Sequence, residues 1–205
     1  MNPEEFFQEI ENHLLLDEKP SEYLERAGES EMFCRYPFEM LSRMKETKQS
    51  PQYHPEGSVW IHTMMVVDTA AKYRTRSSAP RAFMWAALLH DIGKPAATQY
   101  RKGRITSYNH NLVGEKLARE FLEAVQAEKM LIEKVCGLVR YHMQILFVTK
   151  GGKHAQLKEM KRRVDIREAA LFGFCDRMGR GNADVKREKE NIKNFLRACG
   201  TTEFQ

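Results

Sequence analysis

Apolar residues recur three and four positions apart along most of the chain, the period of helices that bury one face. In PEEFFQEIENHLLL, Phe6, Ile10 and Leu14 fall four apart, and in YPFEMLSRMKETK, Phe38, Leu41 and Met44 keep a similar phase. A loop follows, QSPQYHPEGS, with two prolines and a glycine, and Ser58 is placed to cap the next helix. That helix, VWIHTMMVVDTAAKY, leads its apolar face with Ile61 or His62, then Met65 or Val66, Thr69 and Tyr73. Another is predicted from Ser78-Ala79-Pro80, with proline in its first turn, to His90, with Gly93 as its C-terminal stop.

Residues 96–108 break the helical pattern. Two short β-leaning stretches flank Arg101-Lys102-Gly103-Arg104 and predict a small hairpin. A helix capped by Asn109 then carries Val113, Leu117, Phe121 and Val125, and a further one over about 129–142 carries Ile132, Cys136, Val139 and His142 or Met143. Lys150-Gly151-Gly152-Lys153 reads as a turn, and Asp165-Ile166-Arg167-Glu168 as a capping-box start to a helix through Phe172 and Asp176. A polar helix over about 184–198 closes the chain. The pattern predicts an all-α fold with at most one small β-hairpin, near 96–108.

The 205 residues are 42% hydrophobic and 30% charged, a globular composition, and no apolar run approaches the roughly 20 residues of a membrane span. The acidic start MNPEEFFQEI lacks the positive region of an export signal, and Cys34, Cys136, Cys175 and Cys199 show no paired spacing. Both features predict a cytoplasmic protein with reduced thiols. The net charge of +5 is uneven: residues 1–50 hold 6 basic and 12 acidic groups, whereas residues 150–205 hold 14 and 8. A positive second half favours a phosphate-bearing partner, although a solvated helical surface has the same composition.

The histidines and acids gain meaning from their positions. His62 lies in mid-helix, His90-Asp91 end the next helix, His110 opens another, His142 closes a fourth and Asp176 sits within a fifth. Each has a plain alternative: a core histidine, a helix cap, a surface first-turn residue, a carboxylate paired with Arg177 or Arg180. The His90-Asp91 pair itself arises by chance in about one such sequence in five. Together, however, these residues stand where helical bundles build metal sites, and imidazoles with carboxylates suit zinc, iron, manganese or cobalt. Lys94, three residues beyond Asp91, is placed to reach a phosphate beside such an ion.

The ordered set His62, His90-Asp91 and Asp176 resembles the signature of the HD-domain metal-dependent phosphohydrolase superfamily. The stretches QSPQYHPEGSVWIHTMMVV, ALLHDIGKP, GRITSYNHNLVGEKLA and LVRYHM are similar to the HD region of bacterial CCA-adding tRNA nucleotidyltransferases. The likeness covers about residues 35–180, and none of the 205 residues supplies a nucleotidyltransferase head. It implies an HD helical bundle over 35–205 with a helical appendage at 1–34. It also implies one or two divalent ions (iron, manganese, cobalt, nickel or zinc, with magnesium admissible). His62, His90, Asp91 and Asp176 would hold one ion, and Asp91, His110 and His142 a second. Asp91 and Lys94 become the catalytic candidates, and Lys94, His54 and Glu56 the substrate contacts, although a simple turn role for HPEG is the commoner reading of His54 and Glu56. The implied substrate is a phosphorylated small molecule, a nucleotide, a cyclic nucleotide or an RNA end. Two other readings stay open: a non-catalytic RNA- or partner-binding module, and a di-iron oxygenase. The basic strings KGGK (150–153) and KEMKRR (158–163) suit an anionic ligand but contain no interleaved aromatics. Tyr53, Tyr100, Tyr108 and Phe147 are candidates to stack a base if they line the cleft.

Overall fold

A computed structural model describes residues 2–101, 103–181 and 183–201. The expected all-α architecture is present, with the strands confined to one small hairpin among the described residues. In chain order the helices are α1 (Pro3–Leu16), α2 (Pro20–Ala27), α3 (Glu39–Glu46), α4 (Val59–Tyr73), α5 (Pro80–Leu89) and the short α6 (Lys94–Ala97). The hairpin strands β1 (Gln99–Arg101) and β2 (Arg104–Thr106) precede α7 (His110–Ala124), α8 (Lys129–Tyr141), α9 (Gln144–Thr149), α10 (Leu157–Arg163), α11 (Ile166–Met178) and α12 (Val185–Ala198).

The centre is α5. Every residue from Ala82 to Leu89 is buried, so this helix has no polar face and must be enclosed by others. Helices α1, α4, α8 and α11 pack around it, while α7 covers α8 and α12 covers α11. Helix α4 settles in the register that buries His62 and Val66 and leaves Ile61 exposed. Ser58 caps it as expected, its Oγ accepting from Ile61 N at 3.3 Å. Asp165 caps α11 through Arg167 N and Glu168 N, but Glu168 completes no capping box: its carboxylate accepts from Ser77 Oγ and Ser78 N instead. Asn109 occupies the cap position of α7 in a left-handed conformation without using its side chain.

Within residues 2–34, expected as a helical appendage, α1 and α2 send apolar side chains into the common core. Phe6, Phe7, Ile10, Leu14 and Leu24 are buried, and the Phe7 ring stacks on Trp85 of α5 with centroids 4.3 Å apart. Glu11 is buried beside them and accepts from Trp85 Nε1 at 2.8 Å and Arg81 Nε at 2.7 Å. Glu11→Ala would strand a buried indole N–H, and a loss of about 2 kcal/mol is expected in urea unfolding. A change within 0.5 kcal/mol would show that water replaces the carboxylate there.

Two local expectations need correction. Gly93 does not stop a helix in a left-handed turn; its φ of −81° is ordinary, and it stands just before α6. Its role is spatial, because a Cβ there would lie 2.1 Å from the His110 carbonyl oxygen. Of the expected face of α7, Phe121 and the following Val125 are buried, but Val113 and Leu117 are only partly so. The buried face runs through Gly114, Ala118, Phe121 and Leu122, small residues at its start letting α7 approach the neighbouring backbone. The hairpin pairs Tyr100 with Ile105, and Lys102 lies outside the described residues.

Candidate metal centre

Five helices bring their polar residues to one place at the edge of this core. His62 comes from the middle of α4, and Asp176 from α11. His90 and Asp91 follow the last turn of α5, where Ile92 N bonds Leu89 O and Lys94 N bonds Asp91 O in a tight reversal. His110 is the first residue of α7, and His142 follows the last turn of α8. All six are buried. Among the described residues, ligand atoms of His62, His90 and Asp91 lie within 4.8 Å of one another, as do those of Asp91, His110 and His142.

Asp91 joins the two groups. Its Oδ2 lies 3.1 Å from His90 Nε2 and 3.9 Å from His62 Nε2, and its Oδ1 lies 3.4 Å from His110 Nε2 and 3.8 Å from His142 Nε2. Asp176 Oδ1 approaches His62 Nε2 at 3.2 Å. Each imidazole turns its other nitrogen to an acceptor. His90 Nδ1 donates to Ala87 O, His110 Nδ1 to Ser107 O and His142 Nδ1 to Val139 O, in every case a carbonyl three residues upstream. His62 Nδ1 lies 3.0 Å from Glu56 Oε1. In His90, His110 and His142 the carbonyl at Nδ1 keeps the proton there and leaves the Nε2 lone pair facing inward, the arrangement that supports metal-bound histidines, whereas His62 stands between two carboxylates, Glu56 at Nδ1 and Asp176 at Nε2.

The inward atoms are left short of partners. His90 Nε2 is buried with no hydrogen-bond partner among the described residues, and the Asp91 oxygens meet no donor there except the Lys94 ammonium, 2.7 Å from Oδ2 in an ion pair. His110 Nε2 and His142 Nε2 face each other at 3.0 Å. Burial pulls His110 below its ordinary pKa, and burial with the adjacent His110 pulls His142 down to about 3. Two neutral rings with their protons on Nδ1 therefore oppose lone pair to lone pair, a repulsive contact that a cation between them would turn into attraction. Burial pushes the Asp91 carboxyl up, but His90, Lys94 and His110 outweigh it and hold the group well below the usual carboxylate range. Asp176 is held down in the same way, burial being outweighed by the His62 hydrogen bond and by Arg180. The donor set, four imidazoles and two ionised carboxylates without a thiolate, fits one or two divalent ions of the first transition row.

Other residues complete the cavity, about 340 Å³, that opens over this cluster. Lys94 is buried, and its Nζ donates to Gln49 Oε1 at 2.5 Å and lies 2.7 Å from Asp91 Oδ2. Arg180 lines the same cavity with its guanidinium 4.0 Å from Asp176, and its buried Nε has no partner among the described residues. His54 also lines the cavity, whereas Glu56 sits behind His62 and receives both His54 and His62 on one oxygen. Burial pushes the Glu56 carboxyl up, but His62, a backbone N–H and His54 together outweigh it and hold the pKa at about 2, so it remains a charged prop for that ring. Gln49 and Arg180 were not legible beforehand. Gln49 lies in a loop without periodicity, and Arg180 reads as a surface partner of Asp176.

The chain is 31% identical over 165 residues to a multifunctional CCA protein of Hahella chejuensis, covering 78% of this chain and 37% of that protein. It is 29% identical over 163 residues to a multifunctional CCA protein of Actinobacillus pleuropneumoniae, covering 79% and 34%. With that of Cupriavidus metallidurans it shares 28% over 183 residues, covering 87% and 42%. The aligned part thus spans about two fifths or less of the length of these relatives. The HD domain profile matches residues 59–180, a span that begins just before His62 and ends just after Asp176. By that match and by the ligand cluster it encloses, the chain belongs to the HD-domain family.

Proposed function

We propose that the chain is a metal-dependent phosphohydrolase acting on a phosphate ester of a nucleotide, a cyclic nucleotide or an RNA end. The observation that carries this reading is the meeting of the six-residue ligand cluster with two cationic side chains, Lys94 and Arg180, in one cavity. His62, His90, Asp91 and Asp176 would hold one ion, and Asp91, His110 and His142 a second. Such ions, when bound, supply hydroxide at neutral pH and draw charge from the phosphoryl oxygen. In the hydrolysis the water oxygen forms the new P–O bond, the ester P–O bond breaks and the leaving alkoxide takes up a proton. Lys94 spends two donors on Gln49 and Asp91, which leaves a third for a phosphate oxygen. Arg180, with its unpaired Nε, supplies a planar fork to the same phosphate. His54 lies in the wall and is suited to a substrate contact, and Glu56 positions His62.

A screen of phosphomonoesters, phosphodiesters and 2′,3′-cyclic nucleotides tests this, using protein stripped of metal and reloaded with manganese, cobalt, nickel, zinc, iron or magnesium. Hydrolysis is expected to vanish with the chelator and to return with metal, and elemental analysis of the same sample gives the stoichiometry. Inertness in every metal form, with equal RNA binding by wild type and Asp91→Ala, would instead indicate a binding module. Oxygen-dependent turnover with an iron pair would indicate an oxygenase.

A further inference from the structure

Beside the cavity over the ligand cluster lies a second and larger one, about 630 Å³, in the size range of small-molecule sites. The two share the edge formed by Tyr108, His110, Met143 and Lys150. The second chamber is bounded by the start of α7, the end of α8, helix α9 and the loop 150–156. Its lining carries Arg140, Lys150 and Lys153 and, among the described residues, contains no carboxylate side chain. Arg140 is paired outside the chamber with Glu115 at 3.3 Å, so the two lysines supply its accessible charge.

Folding places aromatic surface against these cations, which the local sequence does not. Tyr108, 75% exposed, and Phe147 both line the chamber, and the His154 ring lies 6.0 Å from that of Phe147. On the first chamber's side, Lys150 Nζ stands 5.4 Å over the ring of Tyr53. In the other basic string, Lys161 donates to Cys199 O and Arg163 pairs with Glu115. A cationic wall free of acids attracts phosphate, and flat aromatic faces beside it stack bases without regard to sequence. A small phosphate ester has no use for the second feature. A nucleic acid strand uses both.

We propose that the second chamber holds the nucleotide adjoining the reacting phosphate, so that the preferred substrate is a single-stranded oligonucleotide end rather than a mononucleotide. The inference rests on the phosphohydrolase reading for the first chamber. It places a base against Tyr108 and Phe147, and the neighbouring phosphodiester against Lys150 and Lys153.

Two measurements on the full chain test it with the double variant F147A/K153A. One is the ratio of kcat/KM for a terminally phosphorylated trinucleotide to that for p-nitrophenyl phosphate, in metal-loaded protein. The other is the Kd of a fluorescein-labelled trinucleotide, read by anisotropy in chelator-treated protein. Both the ratio and the affinity are expected to fall about tenfold or more in the variant, the loss of one stacked base and one phosphate contact. Values within about twofold of wild type would overturn the inference, as would a labelled mononucleotide binding wild type as tightly as the trinucleotide. Should the double variant fail to fold by circular dichroism, Lys153→Glu alone, on an exposed side chain, serves the same comparison. If nothing is hydrolysed but trinucleotide binding still weakens in the variant, the catalytic reading fails and the chamber stands. Hydrolysis with an unchanged ratio has the opposite meaning.

Discussion

Asp91→Asn is expected to fold, to lose its bound metal and to lose phosphate-ester hydrolysis by about a thousandfold or more. The size of the effect follows from the position of this one carboxylate. Its two oxygens face different pairs of imidazoles, His90 and His62 on one side, His110 and His142 on the other. An amide keeps one oxygen but turns an N–H₂ toward the remaining Nε2 atoms and carries no charge to balance a divalent ion. The fold should survive, because the amide oxygen can still accept from Lys94, and Lys94 keeps its bond to Gln49. Elemental analysis, a thermal melt followed by circular dichroism and the rate on p-nitrophenyl phosphate together check the prediction. Metal retained at the wild-type ratio would remove Asp91 from the centre of the site. His142→Ala separates one-ion from two-ion occupancy: it leaves His62, His90, Asp91 and Asp176 intact, so a count falling from two to one supports a second ion. A count of one in both proteins rules that ion out.

The helices that bear ligands were legible because their apolar periodicity is strong, and the same regularity fixes where His90, His110 and His142 stand relative to the helix ends. What periodicity left open was rotation: Ile61 and His62 are neighbours, and only packing of α4 against α5 and α11 selects His62 for the interior. Short elements were less visible. Helices α9 and α10 are too brief for two full repeats of an apolar face, and α2 carries its buried Tyr23 and Leu24 in a short stretch between Glu22 and Glu25-Arg26. The polar closing helix α12 nonetheless buries Ile192, Phe195 and Leu196, and its Glu188 pairs with the buried Arg177 of α11. That pairing shows why charge alternation alone is a poor guide to exposure. In the candidate site, the His and Asp residues were readable as a set, with Lys94, His54 and Glu56 beside them, while Gln49 and Arg180 were not. Those two come from a loop and a helix end where no repeat marks a side chain as inward. The second chamber had a related obscurity: its cations and aromatics are brought together from α8, α9 and two loops, and no single stretch contains them.

Gly93→Ala is expected to destabilise the protein by about 3 kcal/mol or more and to lower kcat/KM on p-nitrophenyl phosphate by about a hundredfold. The backbone conformation is not the obstacle, since φ −81° and ψ −13° suit any residue. Space is. The added methyl would lie 2.1 Å from His110 O, 2.5 Å from Gly114 N and 2.9 Å from Gly114 Cα. All three are backbone atoms of α7, so no side chain can turn aside, and the turn after α5 must separate from α7. That separation is also a separation of ligands, because the turn carries Asp91 and the first residue of α7 is His110, 3.4 Å apart at their facing atoms. The stability loss and the rate loss thus share one displacement. Gly114→Ala provides the contrast within the same interface. Its Cβ would meet the Val139 side chain at 3.2 Å, and the neighbouring backbone only at 3.5 Å. Alanine also gains helix propensity over glycine, so its net cost should stay below about 1 kcal/mol with metal content unchanged. Urea unfolding of both variants, with elemental analysis of each, decides the matter. Equal stabilities for the two would mean that the turn at 90–93 and α7 do not meet through their backbones, and the placement of His110 opposite Asp91 would lose its structural basis.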